Sequence, residues 1–143
     1  MSEKELIKTA NGFIEAFNRN DWDACKKTLT SKSVYDEVGT SRKVEGPNEI
    51  ISSLQSWKKA MPDVKGTVTS SFASGNSASL EVTWHGTHTG PLQTPSGVIE
   101  ATGKKQTTRS NFVMKFDGNK IDESKNYFDM LSFMQQLNVL PKQ

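Results

Sequence analysis

The sequence predicts an α+β fold with its elements in the order αα-β-α-ββββ-α. Three observations lead to this prediction. Apolar residues repeat mainly at helical spacing as far as Met61, and beyond Pro62 the period changes to the alternation of a strand. Short turns rich in Gly, Asn and Asp then separate the alternating segments, as in antiparallel hairpins. The chain is therefore expected to form a mainly helical first part and a sheet-forming second part.

The helices of the first part are predicted from their ends as well as from their apolar stripes. Ser2 and Glu5 have the spacing of a capping box, and Asp21 is a suitable N-cap for a second, short helix. Pro47 opens a third helix, because proline at the first helical position loses no needed donor, and Pro62 ends it. The predicted elements are helices at Glu3 to Arg19, around Trp22 to Leu29 and from Gly46 to Met61, with a short strand at Ser33 to Val38.

The second part is predicted to contain two hairpins and a final helix. Ser74-Gly75-Asn76 and Asp117-Gly118-Asn119 are the two turns. Between the hairpins, the segment from Thr89 to Gly103 is predicted to be irregular, and long irregular segments of compact domains are often functional. We therefore expect a cavity mouth near this segment. The predicted strands are Val64 to Phe72, Ser77 to His88, Gln106 to Phe116 and Lys120 to Phe128, and the final helix is Met130 to Leu137.

Size and composition limit the classes of function. A chain of 143 residues with a net charge of +2 fits one domain, spanning residues 1–143, and it has no basic run dense enough for a nucleic-acid or anionic membrane surface. No apolar run reaches the length of a membrane span, and the N-terminal residues are polar, so a soluble cytoplasmic protein is expected. Cys25 is the single cysteine, which excludes an internal disulfide.

Several segments, in order along the chain, resemble one family. They are Ala60-Met61-Pro62-Asp63, Trp84 to Leu92, Ala101-Thr102-Gly103-Lys104, Asn126 to Met130 and Gln136 to Pro141. In these segments the chain resembles the SnoaL-like polyketide cyclases, also called ester cyclases. The resemblance implies the cone-shaped fold of the nuclear transport factor class, in which a curved antiparallel sheet wraps around a helix and leaves an open cavity. It also implies a small hydrophobic or weakly polar ligand, with no metal or cofactor. Members of this fold often pair through the outer sheet face, so a homodimer is one option here.

The resemblance locates an acid/base pair in the cyclizing relatives, and this chain differs there. In those proteins a His and an Asp on the two strands of the last hairpin remove a proton next to a carbonyl, which starts an internal aldol closure. Phe112 and Asn126 occupy the matching positions here. Neither can exchange a proton near neutral pH. Asn126 could still hydrogen-bond a substrate carbonyl or enolate, whereas Phe112 could supply only apolar wall. The sequence thus predicts a cavity without this mechanism.

Two other residues are candidate catalytic groups. Asp129 is the carboxylate nearest to position 126, but it also directly precedes the last helix and is a natural N-cap. His88 lies in a glycine-framed turn at the start of the long loop, where it either titrates at a cavity rim or pins the loop to the sheet. His85 is predicted to lie on the exposed face of its strand, so the two histidines do not form a metal site.

The remaining site predictions concern the wall of the cavity and the other carboxylates. Trp57, Trp84, Met114 and Phe128 are candidate wall residues besides their role in the core. Asp36, Glu37, Glu81 and Glu123 are expected to be solvated, since buried carboxylates are rare. Any of them pointing into the cavity would be a better acid or base than Asn126.

Three functions remain open from the sequence. The first is a SnoaL-like small-molecule pocket protein, a polyketide or ester cyclase by resemblance, with its reaction unassigned. The second is a non-catalytic binder of a small apolar metabolite. The third is an isomerase, hydratase or epoxide hydrolase on the same fold, working by cofactor-free acid/base chemistry. The titratable groups that line the cavity distinguish these functions.

Overall fold

A computed structural model describes residues 2–140. Pro141, the last residue of one motif noted above, lies outside this range. The elements are α1 (Glu3–Asn18), α2 (Trp22–Lys27), β1 (Leu29–Glu37), β2 (Arg42–Glu45), α3 (Pro47–Ala60), β3 (Lys65–Ser74), β4 (Ser77–Thr87), β5 (Leu92–Thr94), β6 (Gly97–Ile99), β7 (Lys105–Asp117), β8 (Lys120–Phe128) and α4 (Met130–Leu137). The predicted α+β class and the order of the long elements are confirmed, and β2, β5 and β6 are additional.

The main sheet has the strand order β2-β1-β8-β7-β4-β3. Its pairs are antiparallel except for β1 and β8, which run parallel. This pairing brings Glu37 directly beside Asn126. A strand from the first quarter of the chain therefore lies next to the last strand, in the centre of the sheet.

Helix α1 packs its apolar stripe against the inner face of the sheet. Ser2 caps it, with its hydroxyl accepting a hydrogen bond from the Glu5 amide at 3.2 Å, as the capping-box spacing predicts. At the other end, the Asn18 side chain both donates to the Gly66 carbonyl (2.8 Å) and accepts from its amide (2.9 Å). Gly66 must lack a side chain, because a Cβ there would lie 2.6 Å from the ring of Trp84. These contacts fix α1, the edge strand β3 and the Trp84 ring relative to one another.

The inner face of β7 changes in character along its length. Its buried residues alternate strictly with exposed or half-buried ones, as the pleat requires. Gln106, Thr108 and Ser110 are polar and buried, whereas Phe112, Met114 and Phe116 continue the same face as apolar core. The inner face of the sheet is therefore polar at one end of β7 and apolar at the other.

The segment from Thr89 to Gly103 is more ordered than the sequence predicts. It contains the small hairpin β5–β6, and Leu92 is fully buried. The amides of Thr89 and Gly90 both donate to the Ala60 carbonyl, at 3.1 and 3.0 Å. Its glycines and prolines favoured irregular structure, but these anchors to the end of α3 hold it in place.

Helix α4 is attached to the sheet through a side-chain amide. Strand β7 extends beyond β8, so the backbone of Thr107 has no strand partner on that side. Gln136 fills the gap, because its Oε1 accepts from the Thr107 amide (2.7 Å) and its Nε2 donates to the Thr107 carbonyl (2.9 Å). Phe133 and Leu137 of the same helix are buried in the core. Within residues 2–140, no helix is long and apolar enough to cross a membrane.

Candidate functional site

A cavity of about 60 Å³ lies between the inner face of the sheet and helices α1, α3 and α4. Its lining is mostly aromatic and aliphatic, and strands β1, β7 and β8 each contribute polar side chains to it. Among the described lining residues there is no Asp, Glu, His, Lys or Arg, and Tyr35 is the one titratable group. The lining residues are Phe13, Ile14, Phe17, Tyr35, Leu54, Trp57, Met61, Val64, Trp84, Gln106, Thr108, Ser110, Phe112, Asn126, Phe128 and Phe133.

Edge-to-face aromatic contacts hold one side of the cavity. The Trp57 ring packs against Phe128 and Phe133, with centroid distances of 6.2 and 5.6 Å and nearly perpendicular planes. Phe128 has room for its ring because residue 39 is glycine, where a Cβ would lie 2.7 Å from that ring. Helices α3 and α4 therefore meet the end of β8 through aromatic rings.

A buried carboxylate lies next to this aromatic wall. Glu37 is fully buried at the end of β1. Its Oε2 accepts from the Tyr35 hydroxyl at 3.0 Å and from the Trp57 indole N–H at 2.9 Å. Its Oε1 accepts from the Thr40 hydroxyl at 2.6 Å and lies 3.7 Å from the Arg42 guanidinium. Each of the three hydrogen bonds at this carboxylate is donated to it, and the guanidinium is its ion-pair partner.

The carboxylate network reaches the cavity through Tyr35 and Asn126. The Asn126 Nδ2 atom donates to the Tyr35 hydroxyl oxygen at 3.0 Å. The other amide atom, Asn126 Oδ1, is buried and has no hydrogen-bond partner among the described residues. Burial, and secondarily the charge of Glu37, raises the pKa of Tyr35 well above its usual range. Tyr35 therefore stays protonated near neutral pH.

The polar residues of β7 form a second group in the lining. Ser110 accepts a hydrogen bond from the Trp84 indole N–H at 2.8 Å, and Thr108 donates to the Gln106 side-chain oxygen at 2.5 Å. The Gln106 Nε2 atom meets the sulfur of Met61 at 3.4 Å. These side chains mainly satisfy one another, so they contribute polarity to the wall without a free charge.

Most of the predicted wall residues do line the cavity. The set comprises Phe112, Asn126, Trp57, Trp84 and Phe128. Met114, by contrast, is fully buried and is not among the lining residues. It lies further along the same face of β7, where that face has become core.

The two candidate catalytic residues lie away from the lining. Asp129 is the N-cap of α4, and its Oδ1 accepts from the Ser132 amide at 3.0 Å. His88 is fully buried, and its Nδ1 accepts from the Thr102 amide at 3.3 Å and lies 3.0 Å from the Thr102 hydroxyl. Burial lowers the pKa of His88 below its ordinary value. Its backbone also pairs with residues 103 and 104, so the histidine ties the long loop to the sheet.

The expectation that Glu37 is solvated is wrong, and the reason is physical. Glu37 is buried and not solvated, and the signal for this was available, since Ser33, Tyr35 and Glu37 alternate along one strand and so share a face. The long loop contributes none of the described lining residues, and the cavity mouth expected near it stays a prediction. Its hairpin instead packs on α3.

The family model of the SnoaL-like polyketide cyclases matches residues 8–137. The chain belongs to this family. The sequence predicts a SnoaL-like protein whose reaction is unassigned, and this prediction is confirmed. Solved structures with the same fold carry the names of different reactions. No curated protein matches the sequence.

Three solved structures illustrate this spread. A SnoaL-like polyketide cyclase candidate from Jannaschia sp. CCS1 has a TM-score of 0.86 at 15% identity, with 97% of this chain and 95% of that chain covered. AclR, a hydroxylase candidate from Streptomyces galilaeus, has a TM-score of 0.82 at 21% identity, with coverage of 99% and 89%. An LEH-like epoxide hydrolase from M. tuberculosis has a TM-score of 0.73 at 18% identity, with coverage of 95% and 91%. These likenesses show the fold.

Proposed function

We propose that this SnoaL-like protein binds a small, largely apolar molecule in the cavity and does not catalyse the aldol closure of its cyclizing relatives. The observation that carries the proposal is the composition of the wall. Phe112 and Asn126, which the resemblance matches to the acid/base pair, both line the cavity. No carboxylate or imidazole of the described residues replaces them there. Apolar walls with a few placed polar groups are typical of ligand sites.

The buried carboxylate also supports binding over proton transfer. Glu37 does not line the cavity, and it approaches the cavity through Tyr35. The Tyr35 hydroxyl donates to Glu37 and accepts from the Asn126 amide, so it is engaged on both sides and does not face the cavity as a free base. Three hydrogen-bond donors and the Arg42 guanidinium hold the Glu37 carboxylate in one position. We infer that this network shapes one polar corner of the wall.

The size of the cavity bears on the ligand. About 60 Å³ holds a few small atoms, whereas a cavity of about 150 Å³ accepts a benzene ring. A ligand with a ring therefore requires lining side chains to move apart, and the Trp57–Phe133 contact is one place where they can. Phe133 belongs to α4, whose attachment to β7 depends on the Gln136 side chain. Movement of this short helix would separate Phe133 from Trp57 and so enlarge the cavity.

The proposal is tested by filling the cavity. Two tryptophans line it, so toluene titrated into the protein should change the intrinsic fluorescence until the site is saturated. Ser110→Phe places a ring inside the cavity and should abolish this response. Arg109→Phe is the matched control, since Arg109 is the adjacent exposed residue of β7 and the response should persist. Native mass spectrometry of the purified protein would identify a co-purified ligand.

Two results would contradict the proposal. One is a toluene response that is equal in all three proteins, because binding would then occur outside the cavity. The other is cyclization of a polyketide ester by the wild-type protein that is unaffected by Asn126→Ala. That result would show that a reaction proceeds without the groups described above.

A further inference from the structure

We infer that Asn126 presents a hydrogen-bond acceptor to the cavity and selects ligands that carry an O–H or N–H donor. This inference rests on the proposed function, since it names the chemistry of the molecule that the cavity takes. It follows from counting the protons in the buried network, and that count fixes which way the Asn126 amide faces.

The Glu37 carboxylate accepts the hydrogen bonds at one end of this network. An ionised carboxylate only accepts, so a group at hydrogen-bond distance from it must donate. The Tyr35 hydroxyl has a single proton and lies 3.0 Å from Glu37 Oε2. The Trp57 indole N–H, which can only donate, occupies the same oxygen at 2.9 Å. Tyr35 therefore gives its proton to Glu37.

The direction of the next bond is then determined. With its proton committed, the Tyr35 oxygen can only accept from Asn126, 3.0 Å away. The Asn126 group that faces it must be the NH₂. If the amide were flipped, its carbonyl oxygen would meet a phenol oxygen that has no proton left to share. The donors and acceptors of the network therefore decide the orientation of the amide.

The consequence is an acceptor without a donor. Asn126 Oδ1 is the amide atom turned away from Tyr35, it is buried, and it finds no partner among residues 2–140. A buried carbonyl without a hydrogen bond is unfavourable, so this atom favours an occupant that can donate to it. The other unpartnered buried side-chain atoms belong to Asn11, Ser33, His88 and Ser124, and none of these residues lines the cavity.

This polarity is opposite to the sequence expectation for Asn126. An amide that donates would suit a carbonyl or an enolate, whereas the free Oδ1 suits a hydroxyl, a phenol or an N–H group. Ser110 lies one position away diagonally across β7 and β8, at a Cβ distance of about 7 Å. Its hydroxyl accepts from Trp84 and retains its own proton for an acceptor on the same ligand. The site therefore fits a small apolar molecule with a hydroxyl at one end.

Phenol and toluene are suitable probes, because they share a shape and differ in one hydroxyl. Their affinities are measured by titration calorimetry for wild type, Asn126→Leu and Phe128→Leu. We expect the ratio of phenol to toluene affinity to fall by about fivefold in Asn126→Leu, the value of one ordinary hydrogen bond. Phe128→Leu is the control, since it should weaken both probes and leave their ratio unchanged. Asn126→Val, which suits a strand, carries the same expectation if the leucine variant folds poorly.

A second variant tests the orientation of the amide. Tyr35→Phe removes the phenol that fixes Asn126, so the amide becomes free to turn. Anisole, which accepts but does not donate, should gain affinity relative to toluene in Tyr35→Phe and not in wild type.

The outcomes separate the two proposals. An unchanged ratio of phenol to toluene in Asn126→Leu overturns the inference while toluene binding still supports the cavity function. A preference of the wild type for anisole over toluene that disappears in Asn126→Leu also overturns it, because Asn126 would then be donating. If no probe binds the wild-type protein, the proposed function fails and the inference fails with it.

Discussion

Replacement of Glu37 tests whether the buried carboxylate is needed by its donors. In Glu37→Leu a side chain of similar volume removes the acceptor and leaves the donors in place. The Trp57 N–H, which can only donate, loses its one hydrogen bond, and Arg42 loses the nearby carboxylate. This differs from replacing a whole ion pair by apolar residues, which is often neutral.

The magnitude follows from what each donor can do next. The Trp57 N–H is left unpaired at a cost of about 1–3 kcal/mol. Thr40 also bonds the Glu37 backbone carbonyl at 3.3 Å, and Tyr35 can turn to Asn126 if that amide flips, so each loses about 1 kcal/mol or less. Together these losses lower the free energy of unfolding by about 3 kcal/mol.

Glutamine at this position should be much milder. Its Oε1 can still accept from Trp57 and Tyr35, and its NH₂ can donate to Thr40 if that hydroxyl turns to accept. What is lost is the extra strength of hydrogen bonds to a charged acceptor, about 1 kcal/mol. For a chain of 143 residues 1 kcal/mol corresponds to about 3 °C in Tm, so we expect decreases of about 3 °C for Glu37→Gln and about 10 °C for Glu37→Leu.

The assay is urea unfolding followed by far-ultraviolet circular dichroism, together with thermal melts. Glu81→Leu is the matched control, because Glu81 is exposed on β4 and its loss should change stability by about 0.5 kcal/mol or less. If Glu37→Leu is as stable as Glu37→Gln, the donors do not depend on the carboxylate, and the proton count that orients Asn126 loses its starting point.

Three further predictions concern residues outside the cavity. Asp129→Asn should change stability little, because Asn still caps α4, whereas Asp129→Ala should lower the free energy of unfolding by about 1 kcal/mol. Thermal melts compare the two variants, and equal losses in both would contradict the capping role. Because burial lowers the pKa of His88 from 6.5, the unfolded chain binds the proton first as pH falls, so stability should decrease below about pH 6.5. His88→Gln should flatten this part of the pH dependence in urea titrations, whereas the exposed His85→Gln should retain it. A Cβ at Gly90 would clash with the Lys59 carbonyl oxygen, so Gly90→Ala should displace the β5–β6 hairpin. Limited proteolysis should then cut the variant between residues 89 and 103 faster than it cuts the wild type.

The long elements were predictable because their signals are local. The capping box at Ser2, the proline at position 47 and the two hairpin turns each act within a few residues, and the predicted bounds of the last strand and the last helix match the structure. The β5–β6 hairpin was not predictable in this way. It depends on contacts with Ala60 and Arg42, which are distant in sequence.

The same distinction between local and long-range signals applies to the residues of the site. The aromatic wall follows from apolar stripes, so Trp57, Trp84 and Phe112 were identified from sequence. Glu37 was misjudged, because base rates for carboxylates outweighed the alternation of its strand. The donor role expected for Asn126 was reversed by Tyr35, whose single proton is used elsewhere. Such a constraint appears only when residues from different strands are brought together.

The parallel pairing of β1 with β8 has a consequence for the order of folding. Tyr35 and Asn126 are 91 residues apart in the chain, and closing so long a loop is entropically costly before it gains any contact. The local hairpins β3–β4 and β7–β8 can form earlier. On a ribosome, β1 emerges long before its central partner, so its inward carboxylate stays hydrated until the last strand is made. Desolvation of that charge then becomes one of the final events of maturation, and a nascent chain stalled before β8 would expose the unpaired edge of β1 to chaperones.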